Sequence, residues 1–317
     1  MLRDLRIGLG YGAGTGLSDV SAVRDEAIWA EAAGFESFWV SQVFGVDPIV
    51  ALAAVGAGVP SLAEIGTSVV PLTGRHPLAL AAAARTAQSA TGGRFTLGIG
   101  ASHQIVTEGF FGEPYDRAFS RTSEFLAALS PLLKGGPADV EGDHIFAKGW
   151  LDIEAEPVPI LLAALGPRML ELAGRFTDGT SVGSCGPRTI SSHIVPTITA
   201  AADRAGRPRP RVLALVAVCV TNDVPGLRTH GRHQSAMYDT FPSYRATLDR
   251  EGVDSGADLI LAGSPDDILH GLAEYANAGT TDLRIVISAR TEEERLATRE
   301  FLAASIDSAP CTPPPGR

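Results

Sequence analysis

Short apolar runs and helix-type stretches alternate along this chain from residue 5 to residue 288, and that alternation leaves few folds open. Strand-like runs fall at residues 5–10, 35–41, 64–70, 95–99, 159–164, 179–183, 211–221 and 282–288. The stretches between them carry helical periodicity or helix punctuation. From Asp19 onward Val20, Val23, Ala27 and Ala30 share one face, and Gly34 stops that helix. Asp47-Pro48 and Ser264-Pro265-Asp266-Asp267 each pair a capping residue with proline at the first helical position. Helices also start at Pro77 and Pro167, and further ones cover 121–133, 189–205 and the stretch up to 250. A short extended piece is expected at 258–261. Parallel neighbours need helical crossovers, so eight such pairs predict a parallel (β/α)8 barrel, the TIM barrel. An open doubly wound sheet would use the same alternation; the count of eight favours the barrel.

The alternation pauses once. Residues 135–153 hold Gly, Pro and short extended pieces, which predicts a hairpin-like insertion after the fourth strand. A single barrel over 1–307 and a flexible Pro-rich tail over 308–317 complete the expected organisation, and 317 residues is an ordinary length for it. A formal charge of −10 argues against a nucleic-acid backbone or an anionic membrane as the main partner. Cys185, Cys219 and Cys311 are too few and too scattered for a disulfide framework or a zinc cluster. With no leader pattern and no apolar run of membrane length, the expected compartment is the cytoplasm.

In a barrel the chemistry sits at the C-terminal ends of the strands, which singles out the segments after Gly10, Ser41, Val70, Gly100, Ala164 and Gly183. Ala164-Leu165-Gly166-Pro167 joins a strand end to a helix N-terminus, where free amides and the helix dipole suit a phosphate. A plain strand-to-helix turn would look the same. Gly8-Leu9-Gly10-Tyr11-Gly12-Ala13 fits a dinucleotide fingerprint, yet Gly14, Thr15 and Gly16 follow and helical periodicity waits until Asp19. That delay removes the helix N-terminus the fingerprint needs, so the segment reads as an active-site loop. His230 and His233 lack cysteine or carboxylate company, and no metal site is expected. No G-x-S-x-G elbow offers an acyl-transfer nucleophile. Glu108 reads equally as a pocket acid or a solvated loop acid, Cys185 as a loop thiol, His76 as a capping residue and Arg75 as an ion-pair partner.

The strand ends also carry a resemblance. Ala32 to Ser41 (AAGFESFWVS), Ile65-Gly66-Thr67-Ser68-Val69-Val70-Pro71 with Arg75-His76-Pro77, and Gly92 to Gly100 (GGRFTLGIG) are similar, in order and spacing, to luciferase-like monooxygenases. Ala163 to Met169 (AALGPRM) and Gly263 to Asp267 (GSPDD) extend the similarity over about residues 5–290. Within that superfamily the chain most resembles the F420-dependent branch related to methylenetetrahydromethanopterin reductase. The resemblance implies coenzyme F420, hydride exchange between the deazaflavin C5 and a small organic substrate, and a homodimer. It implies cofactor contacts at Ser41, Gln42, Ser68, Val69, Ser102, His103, Ala164, Leu165, Gly166, Pro167 and Gly183, with a cis peptide at Ser68–Val69 backing the ring. Many relatives carry Asp-His after the second strand, where this chain has Gln42-Val43, so chemistry through that histidine does not carry over. His103 occupies a position where relatives can hold an acidic glutamate, and it is the expected acid–base group, the alternative being a histidine that only hydrogen-bonds the loop or the ring edge. An FMN-dependent monooxygenase and a non-catalytic F420-binding protein are the alternatives.

Overall fold

The computed structural model describes residues 5–12, 17–42 and 44–307; residues 1–4, 13–16, Val43 and the tail 308–317 lie outside them. Eight parallel strands close on themselves: β1 (Arg6–Tyr11), β2 (Ser37–Val40), β3 (Glu64–Thr67), β4 (Phe95–Gly100), β5 (Ile160–Ala163), β6 (Gly179–Val182), β7 (Arg211–Val220) and β8 (Asp282–Ile287). They pair in chain order, and β8 returns to β1, where Leu9 lies opposite both Phe38 and Ile285. Helices cover the outside, so the expected (β/α)8 barrel is the fold found. The insertion after β4 is an antiparallel hairpin, Ala138–Glu141 against Phe146–Gly149.

Strands buried on both faces explain the apolar runs. Leu9, Phe38, Ile65, Leu97, Leu162, Val212, Leu283 and Ile285 are fully or almost fully buried in the main core. The intervening residues of each strand fill the barrel interior, and their chemistry changes with depth. At the N-terminal floor Arg211 makes a two-pronged ion pair with Glu64 (2.8 Å each) and reaches Asp282 at 2.8 Å, with Arg6 2.6 Å from Asp282. Above it Trp39, Leu161 and Leu213 form a separate apolar plug. Gly66 makes that plug possible, because a Cβ there would lie 2.5 Å from the Trp39 ring. Nearer the catalytic end the interior turns polar again, with Ser68, Ser181 and Arg284.

Four local expectations are corrected. The third strand, expected over 64–70, stops at Thr67; the expected cis bond follows at Ser68–Val69, and Val70–Pro71 then pairs with the end of β4. The piece at 258–261 is not extended: Gly256–Leu259 is a 3-10 turn held by a capping box between Ser255 and Asp258. A strand, Leu261–Gly263, follows beside Val218–Val220. The helix expected from 121 starts at Ala118, behind an Arg117 cap that makes no side-chain hydrogen bond and so leaves no signature. The helix expected over 189–205 contains a π-turn at Ile190–Ile194. It precedes Pro196, whose missing N–H and bulky ring the wider turn accommodates.

Candidate active site

At the C-terminal mouth of the barrel lies a cavity of about 280 Å³. Its lining includes Ser41, Gln42, Ser68, Val69, Ser102, His103 and Gly183, so seven of the residues singled out in the sequence meet at one place. Hydrogen bonds to neighbouring strands fix several of them. The Ser41 hydroxyl donates to the Tyr11 carbonyl at 3.1 Å, and the Gln42 amide N–H donates to the Val69 carbonyl at 3.2 Å. Ser68 donates its N–H to the Val40 carbonyl at 3.0 Å, and the Ser68–Val69 peptide is cis. Arg75 donates to the Gln42 Oε1 and to Asp47, both at 2.7 Å. An arginine only donates, so it is the Gln42 amide oxygen that faces Arg75.

Ser102 adopts a left-handed backbone (φ 66°), unusual for a residue with a side chain. The Tyr115 hydroxyl fixes it by donating to the Ser102 carbonyl at 3.1 Å. That turn points the chain into the short helix Gln104–Gly109, with His103 at its N-cap but contributing no side-chain cap bond. The imidazole packs instead among Tyr238, Phe241 and Tyr244, at centroid distances of 5.7, 4.8 and 5.5 Å. Burial in this aromatic setting lowers the His103 pKa, because the charged form loses its water. Burial likewise pushes the Tyr244 phenol well above its ordinary range, so it remains a neutral donor.

The other expected residues fall elsewhere. Ala164, Leu165, Gly166 and Pro167 stand at the end of β5 but outside the cavity lining. Ala164 is buried, the Leu165 carbonyl receives a 2.8 Å contact from the His193 ring, and only Gly166 and Pro167 are exposed at the helix start. The glycines of the dinucleotide-like segment serve the barrel interior: a Cβ on Gly8 would lie 2.8 Å from Trp39 Nε1, and one on Gly10 would lie 2.5 Å from Arg284 Nε. Glu108 is exposed and bonds Gln104 at 2.9 Å. Cys185 is buried and its thiol is pushed up to about 12, which leaves it inert. His76 caps the helix Pro77–Ala90, and Arg75 has the ion pair expected of it. Among the described residues no cluster could hold a metal ion, and no helix is long and apolar enough to cross a membrane.

Sequence reasoning missed Leu215, Tyr238, Tyr244 and Arg284, all of which line the cavity. Arg284 had a signal: an ionisable residue in the middle of a parallel barrel strand is buried wherever its strand is. Tyr238 and Tyr244 sit in turn-and-helix material with no local mark of their destination.

The family model for luciferase-like monooxygenases matches residues 5–282. The 5,10-methylenetetrahydromethanopterin reductase of Methanolobus tindarius is 27% identical over 237 residues, covering 74% of this chain and 72% of the relative. The solved coenzyme F420 dependent tetrahydromethanopterin reductase from Methanopyrus kandleri superposes with a TM-score of 0.78 at 20% identity, over 96% of this chain and 98% of that one. An F420-dependent secondary alcohol dehydrogenase in complex with an F420-acetone adduct gives a TM-score of 0.79 at 18% identity, over 97% and 98%.

Proposed function

The chain belongs to the luciferase-like monooxygenase family, and from that premise we propose that it is an F420-dependent oxidoreductase moving a hydride between the deazaflavin C5 and a small organic substrate. The observation that carries this reading is the convergence of Ser41, Gln42, Ser68, Val69, Ser102, His103 and Gly183 on one cavity at the catalytic end of the barrel. A volume near the lower end of ordinary ligand pockets (about 300–1,000 Å³) suits a flat ring more than a whole cofactor. Hydroxyls and an amide supply uncharged polar contacts, while Val69, Val182 and Leu215 offer apolar surface. A Cβ added at Gly183 would meet no atom of the described residues within 4 Å, so its backbone is open to a close approach. Gly166 is equally open, and the free N–H groups behind Pro167 would hold a phosphate at the rim.

When bound, the cofactor supplies the hydride chemistry at C5. The chain supplies placement and a proton site. His103, neutral at neutral pH, accepts the proton released as a substrate hydroxyl becomes a carbonyl, or returns it in the reverse direction. The aromatic side chains around it exclude water from that exchange. A cytoplasmic homodimer is part of the same reading, and light scattering of the purified protein checks the dimer.

Cofactor choice tests the reading. F420 is expected to bind at least about tenfold more tightly than FMN, about 1.4 kcal/mol, in matched fluorescence titrations. Equal or tighter FMN affinity turns the assignment to an FMN-dependent monooxygenase. Tight F420 binding with no turnover across alcohols, aldehydes and enones turns it to a carrier protein.

A further inference from the structure

Arg284 is a buried charge with few partners among the described residues. The other inward arginines are answered in full or nearly so. Arg211 has two carboxylates, Arg94 donates to four backbone carbonyls, and Arg85 to three. Arg284 is 5% exposed and makes no ion pair among the described residues. Its Nη1 donates to the Ser68 carbonyl and, at 2.7 Å, to the Ser68 hydroxyl, while its Nε has no hydrogen-bond partner among the described residues. Leaving a buried guanidinium without a counter-charge costs several kcal/mol, and an apolar residue of similar volume would avoid that cost. The sequence nevertheless makes room for it. A Cβ on Gly10 would lie 2.5 Å from Nε and 2.7 Å from Cδ, so the glycine on the neighbouring strand is what admits the side chain. Arg284 also lines the cavity, beside Ser68, Ser181 and Gly12.

We propose that Arg284 is the anion-recognising group of this cavity, receiving a delocalised oxyanion on a planar part of the occupant. The proposal rests on the reading of the cavity as the cofactor and substrate site. Two sources share the chemistry: the ionised ring of an 8-hydroxy-5-deazaflavin, and a carboxylate on the co-substrate. In either case the occupant brings the charge that the protein withholds, and the guanidinium offers it planar donors that an ammonium would not match. The low dielectric of a closed barrel strengthens that attraction and makes its absence costly, so an empty cavity is the less stable state.

The test uses the full chain with Arg284→Met and Arg284→Lys. Thermal melts are taken without ligand, F420 is titrated by fluorescence, and F420-saturated protein is titrated with benzoate as a carboxylate probe. Arg284→Met is expected to melt no lower than the unsubstituted protein, since it removes an unanswered charge. It is also expected to lose at least about tenfold in one of the two affinities, with Arg284→Lys recovering part of the loss. Loss for F420 assigns the oxyanion to the cofactor; loss for benzoate alone assigns it to the co-substrate. Loss in neither titration overturns the proposal, as does a lowered melt with both affinities kept, the signature of an arginine that only braces Ser68. If the unsubstituted protein does not bind F420, the functional reading fails by itself, and the same substitutions titrated with FMN and benzoate still decide the role of Arg284.

Discussion

Replacing His103 with alanine is expected to slow single-turnover hydride transfer by about 10²–10⁴, while F420 affinity changes much less. The imidazole is held by packing, not by capping, so the substitution removes a proton site without unpairing the helix start. Three aromatic side chains fix the ring's orientation, and none of them can replace its basicity at neutral pH. The pH dependence follows from the burial-lowered pKa. Protonated His103 cannot accept a proton, so oxidation of an alcohol falls away on the acid side. Because the folded value lies below the ordinary histidine value of 6.5, the midpoint of that fall should lie below 6.5 and the rate should be flat through neutrality. Stopped-flow traces of the unsubstituted protein across pH locate the midpoint, and the alanine variant, measured alongside, checks the rate loss and should lose that acid-side dependence. Near-normal transfer, or loss of cofactor binding in place of transfer, removes His103 from the acid–base role.

The barrel was legible because parallel strands bury both faces and read as apolar runs, each separated by a helix long enough to cross back. Asp47-Pro48 and Ser264 to Asp267 gave their helix starts without tertiary help, since caps are local chemistry. The Ser255-x-x-Asp258 box was equally local and marks the turn that replaced the expected extended piece. What sequence could not give was aim. Ala164 to Pro167 and Ser181 to Gly183 both end strands, yet only the second segment faces the cavity, because direction depends on strand register and barrel tilt. Tyr238 and Tyr244 arrive there from more than 130 residues downstream of His103 in the chain, a meeting fixed by closure of the barrel alone.

The barrel interior explains why the two inward arginines behave oppositely, and it carries the second large effect. Arg211→Met is expected to destabilise the fold by about 3–5 kcal/mol, because it leaves Glu64 and Asp282 buried with only the half-exposed Arg6 to answer them. Arg284→Met should not, because no carboxylate among the described residues pairs with Arg284. Acid separates charge pairing from mere packing. Burial alone would raise the Glu64 pKa; the Arg211 charge and its paired hydrogen bonds outweigh that and hold it below the ordinary value of 4.5. In the unsubstituted protein this carboxyl therefore contributes stability that is complete above the unfolded value and is lost as pH falls through the folded one. Without Arg211 the burial effect is left in charge, the Glu64 pKa rises, and the variant takes up a proton on mild acidification. The stability gap between the two proteins should then be widest near neutral pH and narrow toward pH 4.5. Reversible urea unfolding at a series of pH values measures it. A gap below about 1 kcal/mol at neutral pH, or one independent of pH, would mean that Arg211 acts through its volume and not its charge.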